Sequence, residues 1–425
     1  MAHEASSVVI VAGEASGDLH GANLATELKR ELPSLKISGI GGRRMRESGV
    51  ELFYDSSSWG AIGITEALKR VPRLLCVLYD LTVRLKADPP DLLILIDFGA
   101  FNVRLGRILH RAGVKVLYYF PPSSWHRGAT HRQLDGVVDR VVTPFPWSAE
   151  TLRRRGFRAD FFGHPLLDVA KPSMSGDEFV RRFGFDESKP IVALLPGSRT
   201  QEIAHILPVM LVAVAKILDA MPDLQFAIPP APSVNAFALA EEMSKLPWVT
   251  VEAHHTPGDS AESAEQVSPY RLAESVGALM RRERIEKPPR ARIKLLPGMN
   301  YDVLAHSRAA LLASGTATVE AMILGCPMVA IYRGNRILTL EYRLFGKRIK
   351  FIGMPNIILD RMICPELVAD AVTPGAIAEI MLKVIADTPE RAGIIKGLEE
   401  ARSLLGEPGA VAKTARVVIE MLAGK

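Results

Sequence analysis

Residues 311–333, LLASGTATVEAMILGCPMVAIYR, decide how the rest of the chain is read. The spacing predicts a buried strand, a loop of small residues, a short helix and a second strand. Ser314, Gly315 and Thr316 give the turn, because glycine accepts backbone angles that other residues resist. Thr316 or Thr318 is expected to cap the helix. Glu320, four residues after Thr316, shares that residue's face. Gly325 and Pro327 stop the helix. A helix N-terminus lined by small residues can take an anion, and a carboxylate just behind it suits the hydroxyls of a ribose. The same pattern also describes an ordinary strand-to-helix turn with nothing bound.

Working outward, strand and helix patterns alternate along both halves, as expected of parallel sheets with covering helices. Residues 8–12, 36–40, 92–96, 115–120 and 137–143 read as strands of a first half. Residues 191–195 and 224–228 restart the pattern. VVIVAGEASGD and IVALLPGSRTQE therefore look like the openings of two similar units. The expected fold is α/β, two Rossmann-like domains with ligands at the carboxyl ends of their strands and a cleft between them. The expected division is 1–170, completed by a C-terminal helix near 405–425, and 171–404. Residues 254–292, rich in Ser, Glu and Pro and then Arg, read as an insertion in the second half, helical around 270–286. Residues 376–422 read as two or three helices.

A chain of 425 residues fits two domains of about 200 each. Hydrophobic residues at 48% and charged residues at 23% fit a soluble globular protein. A net charge of +5 suits an anionic partner such as a phosphate or an acidic membrane surface, and does not call for nucleic acid. Cys76, Cys326 and Cys364 form no CxxC pair, so neither a zinc site nor a disulfide framework is expected. The N-terminal stretch lacks the pattern of a signal peptide. No uncharged run reaches the ~18 residues of a membrane span.

Several residues could carry chemistry. GEASGD departs from GxGxxG, and no acid ends the following strand, so a nicotinamide dinucleotide is excluded. The loop still offers Glu14, Ser16 and Asp18. Asp97 ends the apolar run LLILI, where α/β folds place reactive groups. Partial burial there would raise its pKa and suit a general base; a helix N-cap is the alternative. Gly197 and Ser198 shape a turn, and Arg199 offers a fork for phosphate oxygens. His164 is open to core or hinge packing as much as to catalysis. Residues 71–85, with Lys69, Arg70, Arg73, Arg84 and Lys86 around them, fit either an interfacial helix on an anionic membrane or a core helix with basic ends.

Taken together, VAGEASGD, GIGGRRM, IDFGAFN, FFGHPLLD, LLPGSR, ASGTATVEAM, PMVAIYR and MPNIIL resemble the lipid-A-disaccharide synthases, inverting glycosyltransferases of the two-domain GT-B fold. The resemblance implies transfer of diacylglucosamine from UDP-2,3-diacylglucosamine to 2,3-diacylglucosamine 1-phosphate, at the cytoplasmic face of the Gram-negative inner membrane. It implies no cofactor and no metal. Asp97 matches the proposed base. Ser198, Arg199 and the backbone at 314–316 match the diphosphate site, with Gly197 and Thr318 beside them. Glu320 matches the ribose contact, and Arg333 and Asn356 lie near the donor. Glu14, Ser16, Asn102 and Trp125 fall on the acceptor side.

The chain departs from the family pattern at two places. Gly99 and Ala100 stand where the family has Pro and Asp, and PPSSWHRGA replaces SPSVWAW. Both changes fall on the acceptor side. A UDP-GlcNAc 2-epimerase shares the architecture, but the chain lacks that family's acid-and-His arrangement. A non-catalytic lipid or nucleotide binder is the alternative outside enzymes. The oligomeric state is left open.

Overall fold

The computed structural model of the chain describes residues 6–57, 59, 64–254, 271–333 and 350–424, with the backbone alone at 64–69. It divides into two units. One runs up to Val169 and resumes at Leu404; the other is Ala170–Ser403.

The first unit is built on a seven-stranded sheet. Its strands are β1 (Ser7–Ala12), β2 (Lys36–Gly41), β3 (Glu51–Asp55), β4 (Leu92–Ile96), β5 (Lys115–Tyr119), β6 (Arg140–Val142) and β7 (Ala159–Asp160). Their order is β3-β2-β1-β4-β5-β6-β7, parallel throughout. Parallel strands covered on both faces read as continuous apolar runs, and β4, LLILI, is buried at every position.

Alternate residues of one strand serve opposite faces of the sheet. Val9, Val11, Leu93 and Leu95 join Val77, Leu78, Leu81 and Leu85 of helix Ile64–Ala87 and Leu105 and Leu109 of helix Gly99–Arg111. Val8, Ile10, Leu92 and Ile94 join Leu24 and Leu28 of helix Ala15–Glu31, and Val417, Val418 and Met421 of helix Ala410–Leu422. The C-terminal helix thus fills a face that the preceding elements of this unit leave open.

The second unit repeats the plan. Its strands are β8 (Ile191–Leu195), β9 (Gln225–Ile228), β10 (Val249–Ala253), β11 (Ala291–Leu295), β12 (Ala309–Ala313), β13 (Met328–Tyr332) and β14 (Glu366–Val368). The order is β10-β11-β9-β8-β12-β13-β14, again parallel. Helix Thr200–Ala220 is long and apolar enough to cross a membrane, but it is the central covering helix, buried along most of its length from Ile203 to Leu218.

Two expectations change here. The stretch read as an insertion contains framework: helix Leu272–Glu283, with Leu272 and Val276 buried, leads from β10 to β11, an interior strand. The arginines of its tail lie on the solvent side. Residues 255–270 lie outside the described residues. In the first unit the sixth strand is shorter than residues 137–143, because Gly136 and Val137 belong to the turn before it.

Candidate active site

In an open parallel sheet, the crevice for a ligand lies where the strand order reverses. In the first unit that point is between β1 and β4. Glu14 follows β1 and Asp97 follows β4, so the topology brings these two carboxylates to one place. Asp97 is solvent-accessible and Glu14 half-buried. Desolvation by the surrounding protein, and then the like charge of Glu14, push the Asp97 carboxyl up to about 6. Because Asp97 keeps contact with solvent, it remains free to meet a substrate.

Asp97 is not a helix cap. Helix Gly99–Arg111 takes Phe98 as its cap residue, without a side-chain cap bond. Asp97 and Phe98 both have left-handed backbone, φ 46° and 48°. Asn102 is fully buried, and its Nδ2 donates to the carbonyls of Asp97, Ile96 and Val11 at 2.9, 3.1 and 3.2 Å. It supports the site from beneath and does not face an acceptor. Ser16 lies in the first turn of helix Ala15–Glu31, with Glu14 as the cap residue. Asp18 is buried and holds the start of helix Arg43–Glu47 through the backbone N–H groups of Gly42, Arg44 and Met45, so it is structural.

Trp125 is 41% exposed on the loop after β5. That loop is fixed from behind: Trp147 Nε1 donates to Ser124 O at 3.0 Å, Ser148 Oγ and His131 Nε2 are 3.2 Å apart, and the Arg127 guanidinium lies over the Trp147 ring. His164 is buried among His20, Phe120 and Phe145, and burial drives its pKa down to about 3. Of its two readings, packing is the one realised.

In the second unit the order reverses between β8 and β12. The PGSR turn follows β8 and the Ser314–Gly315–Thr316 turn follows β12, so two of the proposed phosphate-binding stretches end neighbouring strands. Gly197 has φ 117° and Gly315 has φ 151°, angles that a β-carbon would oppose. Helix Thr316–Ile323 begins as expected, but its cap residue is Gly315 and no side chain caps it. Thr318 is fully buried: its Oγ1 donates to Gly315 O at 2.7 Å and accepts from Met354 N at 3.1 Å. Ser314 Oγ donates to Ile352 O at 2.6 Å. Ser314 and Thr318 thus hold the 352–354 loop against the turn.

Three residues missed by the sequence reading complete this surface. Glu202 accepts from the backbone N–H of Ser198 and Arg199 at 2.9 and 3.2 Å, and from Arg199 Nη1 at 2.9 Å. The donors expected to face a phosphate are therefore engaged by the chain's own carboxylate. The signal was present, since an acid three residues after a cap position is the capping-box spacing. Asn300 Nδ2 and Tyr301 Oη donate to Glu320 at 2.9 and 3.4 Å, orienting the acid expected at the ribose.

Asn356 changes role. It is fully buried, and its amide bonds to Cys364 O, Glu366 Oε1 and the N–H groups of Ile363 and Cys364. It shapes the loop and presents nothing to a ligand. Arg333 is half-buried, donates to Val372 O at 3.0 Å, and has its pKa lowered by burial and by Arg282. Among the described residues, no group of three or more His, Cys, Asp or Glu could hold a metal ion.

The chain is 35% identical over 419 residues to the lipid-A-disaccharide synthase of Geobacter sulfurreducens, covering 98% of this chain and 97% of that one. It is 32% identical over 416 residues to that of Syntrophus aciditrophicus, with 98% and 97% covered. Among solved structures it is similar in fold to the S. aureus MnaA–UDP co-structure (TM-score 0.60, 13% identity, 98% and 97% covered). A glycosyltransferase of kitacinnamycin is similar in the same sense (TM-score 0.58, 14% identity, 99% and 100% covered). The family model for lipid-A-disaccharide synthetase matches residues 8–278 and 271–417. Together with the motifs and the two doubly wound sheets, these matches show that this chain belongs to the lipid-A-disaccharide synthetase family.

Proposed function

We propose that the chain transfers diacylglucosamine from a UDP-linked donor to the 6-hydroxyl of a diacylglucosamine 1-phosphate, releasing UDP and a β-1,6-linked lipid A disaccharide 1-phosphate. Asp97 is the observation that carries the mechanism. A solvent-accessible carboxyl with a pKa of about 6, at the switch point of the first unit, is ionised near neutral pH and basic enough to take a hydroxyl proton. The relieved oxygen attacks the anomeric carbon, the bond to the diphosphate breaks, and UDP leaves with the electron pair. Inversion follows from the single in-line displacement.

The second unit holds the donor in this scheme. The N–H groups of Gly315 and Thr316 meet the diphosphate, Arg199 and Ser198 join them by exchanging their bonds to Glu202 for phosphate oxygens, and Glu320 meets the ribose; the Ser314 N–H stays in the sheet, donating to Ile331 O. The charge on the leaving group is balanced by these donors and not by a metal. The membrane is met by the first unit. Val71, Leu75, Tyr79 and Val83 are 41–74% exposed and four residues apart on helix Ile64–Ala87, with Arg70 and Arg73 alongside. Apolar residues on an outer helix face, flanked by cations, suit an anionic lipid surface. The exposed apolar and basic face supports our reading that the protein works on the cytoplasmic side of the inner membrane.

The test is a transfer assay in detergent with UDP-2,3-diacylglucosamine, diacylglucosamine 1-phosphate and EDTA. Disaccharide is expected with EDTA present. Asp97→Asn should bind UDP as before and turn over at least ~100-fold more slowly. Normal turnover in that variant removes Asp97 as the base, and UDP binding without any transfer favours a binder over an enzyme.

A further inference from the structure

Asp97 and Phe98 are consecutive residues in left-handed backbone. A residue with a β-carbon resists that region, and a bulky one such as phenylalanine is rare there. The pair is held from three sides. Tyr118 Oη donates to the Asp97 carbonyl at 2.8 Å. Asn102 Nδ2 donates to the same carbonyl at 2.9 Å. The Phe98 ring lies across Gly13, so close that a β-carbon there would come within 2.2 Å of it. Tyr118 and Asn102 are each fully buried, so both donors are held in place by the core.

We propose that Tyr118 is a positioning residue for the transfer reaction: with Asn102 it locks the 97–98 backbone and so fixes the Asp97 carboxyl beside Glu14. The inference rests on Asp97 being the base. Tyr118 comes from β5, which pairs with β4 on the side opposite β1, whose loop carries Glu14, so three neighbouring strands converge on Asp97. Among the described residues, the titratable side chain that shifts Asp97 is Glu14, and the Asp97 charge in turn acts on Tyr118. The Tyr118 ring would satisfy packing without its hydroxyl, which is aimed at the one carbonyl between the two left-handed residues.

Tyr118→Phe keeps the ring and removes one hydrogen bond. We expect UDP affinity within about twofold of the parent and kcat lowered about tenfold, the scale of a misplaced catalytic group. The acid limb of the kcat/KM pH profile should fall by at least about half a pH unit, because a released carboxyl moves away from Glu14. A parental rate and limb overturn the proposal, as does a lower rate with an unmoved limb, which would mean packing alone. Gly13→Ala, which displaces the Phe98 ring without touching Tyr118, should shift the limb in the same direction. Should Tyr118→Phe fail to fold, an unmoved limb in Gly13→Ala overturns the proposal. Full activity in Asp97→Asn would remove the base and the positioning role together, whereas an inactive Asp97→Asn with a parental Tyr118→Phe removes the positioning role alone.

Discussion

At the scale of single residues, the pair Glu14 and Asp97 sets when the site can work. Each left-handed residue at 97 and 98 costs of order 1–3 kcal/mol, so the local fold spends stability to present one carboxyl. Desolvation raises its pKa first and Glu14 adds to it. Glu14→Gln removes the like charge and leaves the desolvation. The acid limb of the activity profile should therefore move from about 6 toward, but not down to, the ordinary carboxylate value near 4. Activity below pH 6 should rise relative to the parent. An unmoved limb in a pH series of initial rates would show that Glu14 is too far from the charge to matter. Asp97 was legible in the sequence because an apolar run of five ends on it. Tyr118 was not, because its role depends on the pairing of β4 with β5, which no local spacing encodes. Asn356 misled in the opposite direction: an amide among donor motifs suggested a ligand contact, while burial turns it inward.

At the scale of elements, helix Ile64–Ala87 shows what composition can and cannot decide. Its apolar and basic residues allowed two readings, core or interface. The structure uses both faces: Val77, Leu78, Leu81 and Leu85 enter the core, and Val71, Leu75, Tyr79 and Val83 point outward. The two sets interleave at helical spacing, so hydropathy alone averages them. Burying an exposed leucine or tyrosine in lipid is worth roughly 1.5–3 kcal/mol. Leu75→Glu with Tyr79→Glu should thus abolish flotation with anionic liposomes and leave UDP binding unchanged. Arg70→Glu with Arg73→Glu should weaken flotation more at low salt than at high salt. Flotation equal to the parent in the Leu75/Tyr79 variant would exclude this face as the membrane contact. The small-residue turn at 314–316 was readable because glycine and its neighbours announce it. The loop that packs on it, 352–354, was not, since its docking runs through side-chain bonds of Ser314, Thr318 and Glu366 that no local spacing encodes.

At the scale of the whole molecule, the chain leaves its first unit at Val169 and comes back at Leu404. Sequence periodicity showed helices at the C-terminus, but not which core they serve, because an apolar helix face fits any sheet. The structure answers with specific bonds. Asp168 accepts from the backbone N–H of Gly409 and of Val411, so a carboxylate some 240 residues earlier caps helix Ala410–Leu422. Lys115 Nζ donates to Met421 O at 2.7 Å at the other end. Gly409, the cap residue, has no side chain to do this itself. Losing such a cap costs ~1–2 kcal/mol. Asp168→Ala should lower the unfolding free energy of the first unit by that amount, read as a lower urea midpoint at an unchanged slope. It should leave UDP affinity unchanged, since the proposed donor residues lie in the second unit. Urea unfolding followed beside UDP titration checks both. A variant that loses UDP affinity as well would mean that the two units do not hold their stability separately, while an unchanged midpoint would mean that the packing of Val417, Val418 and Met421 suffices to hold the returning helix.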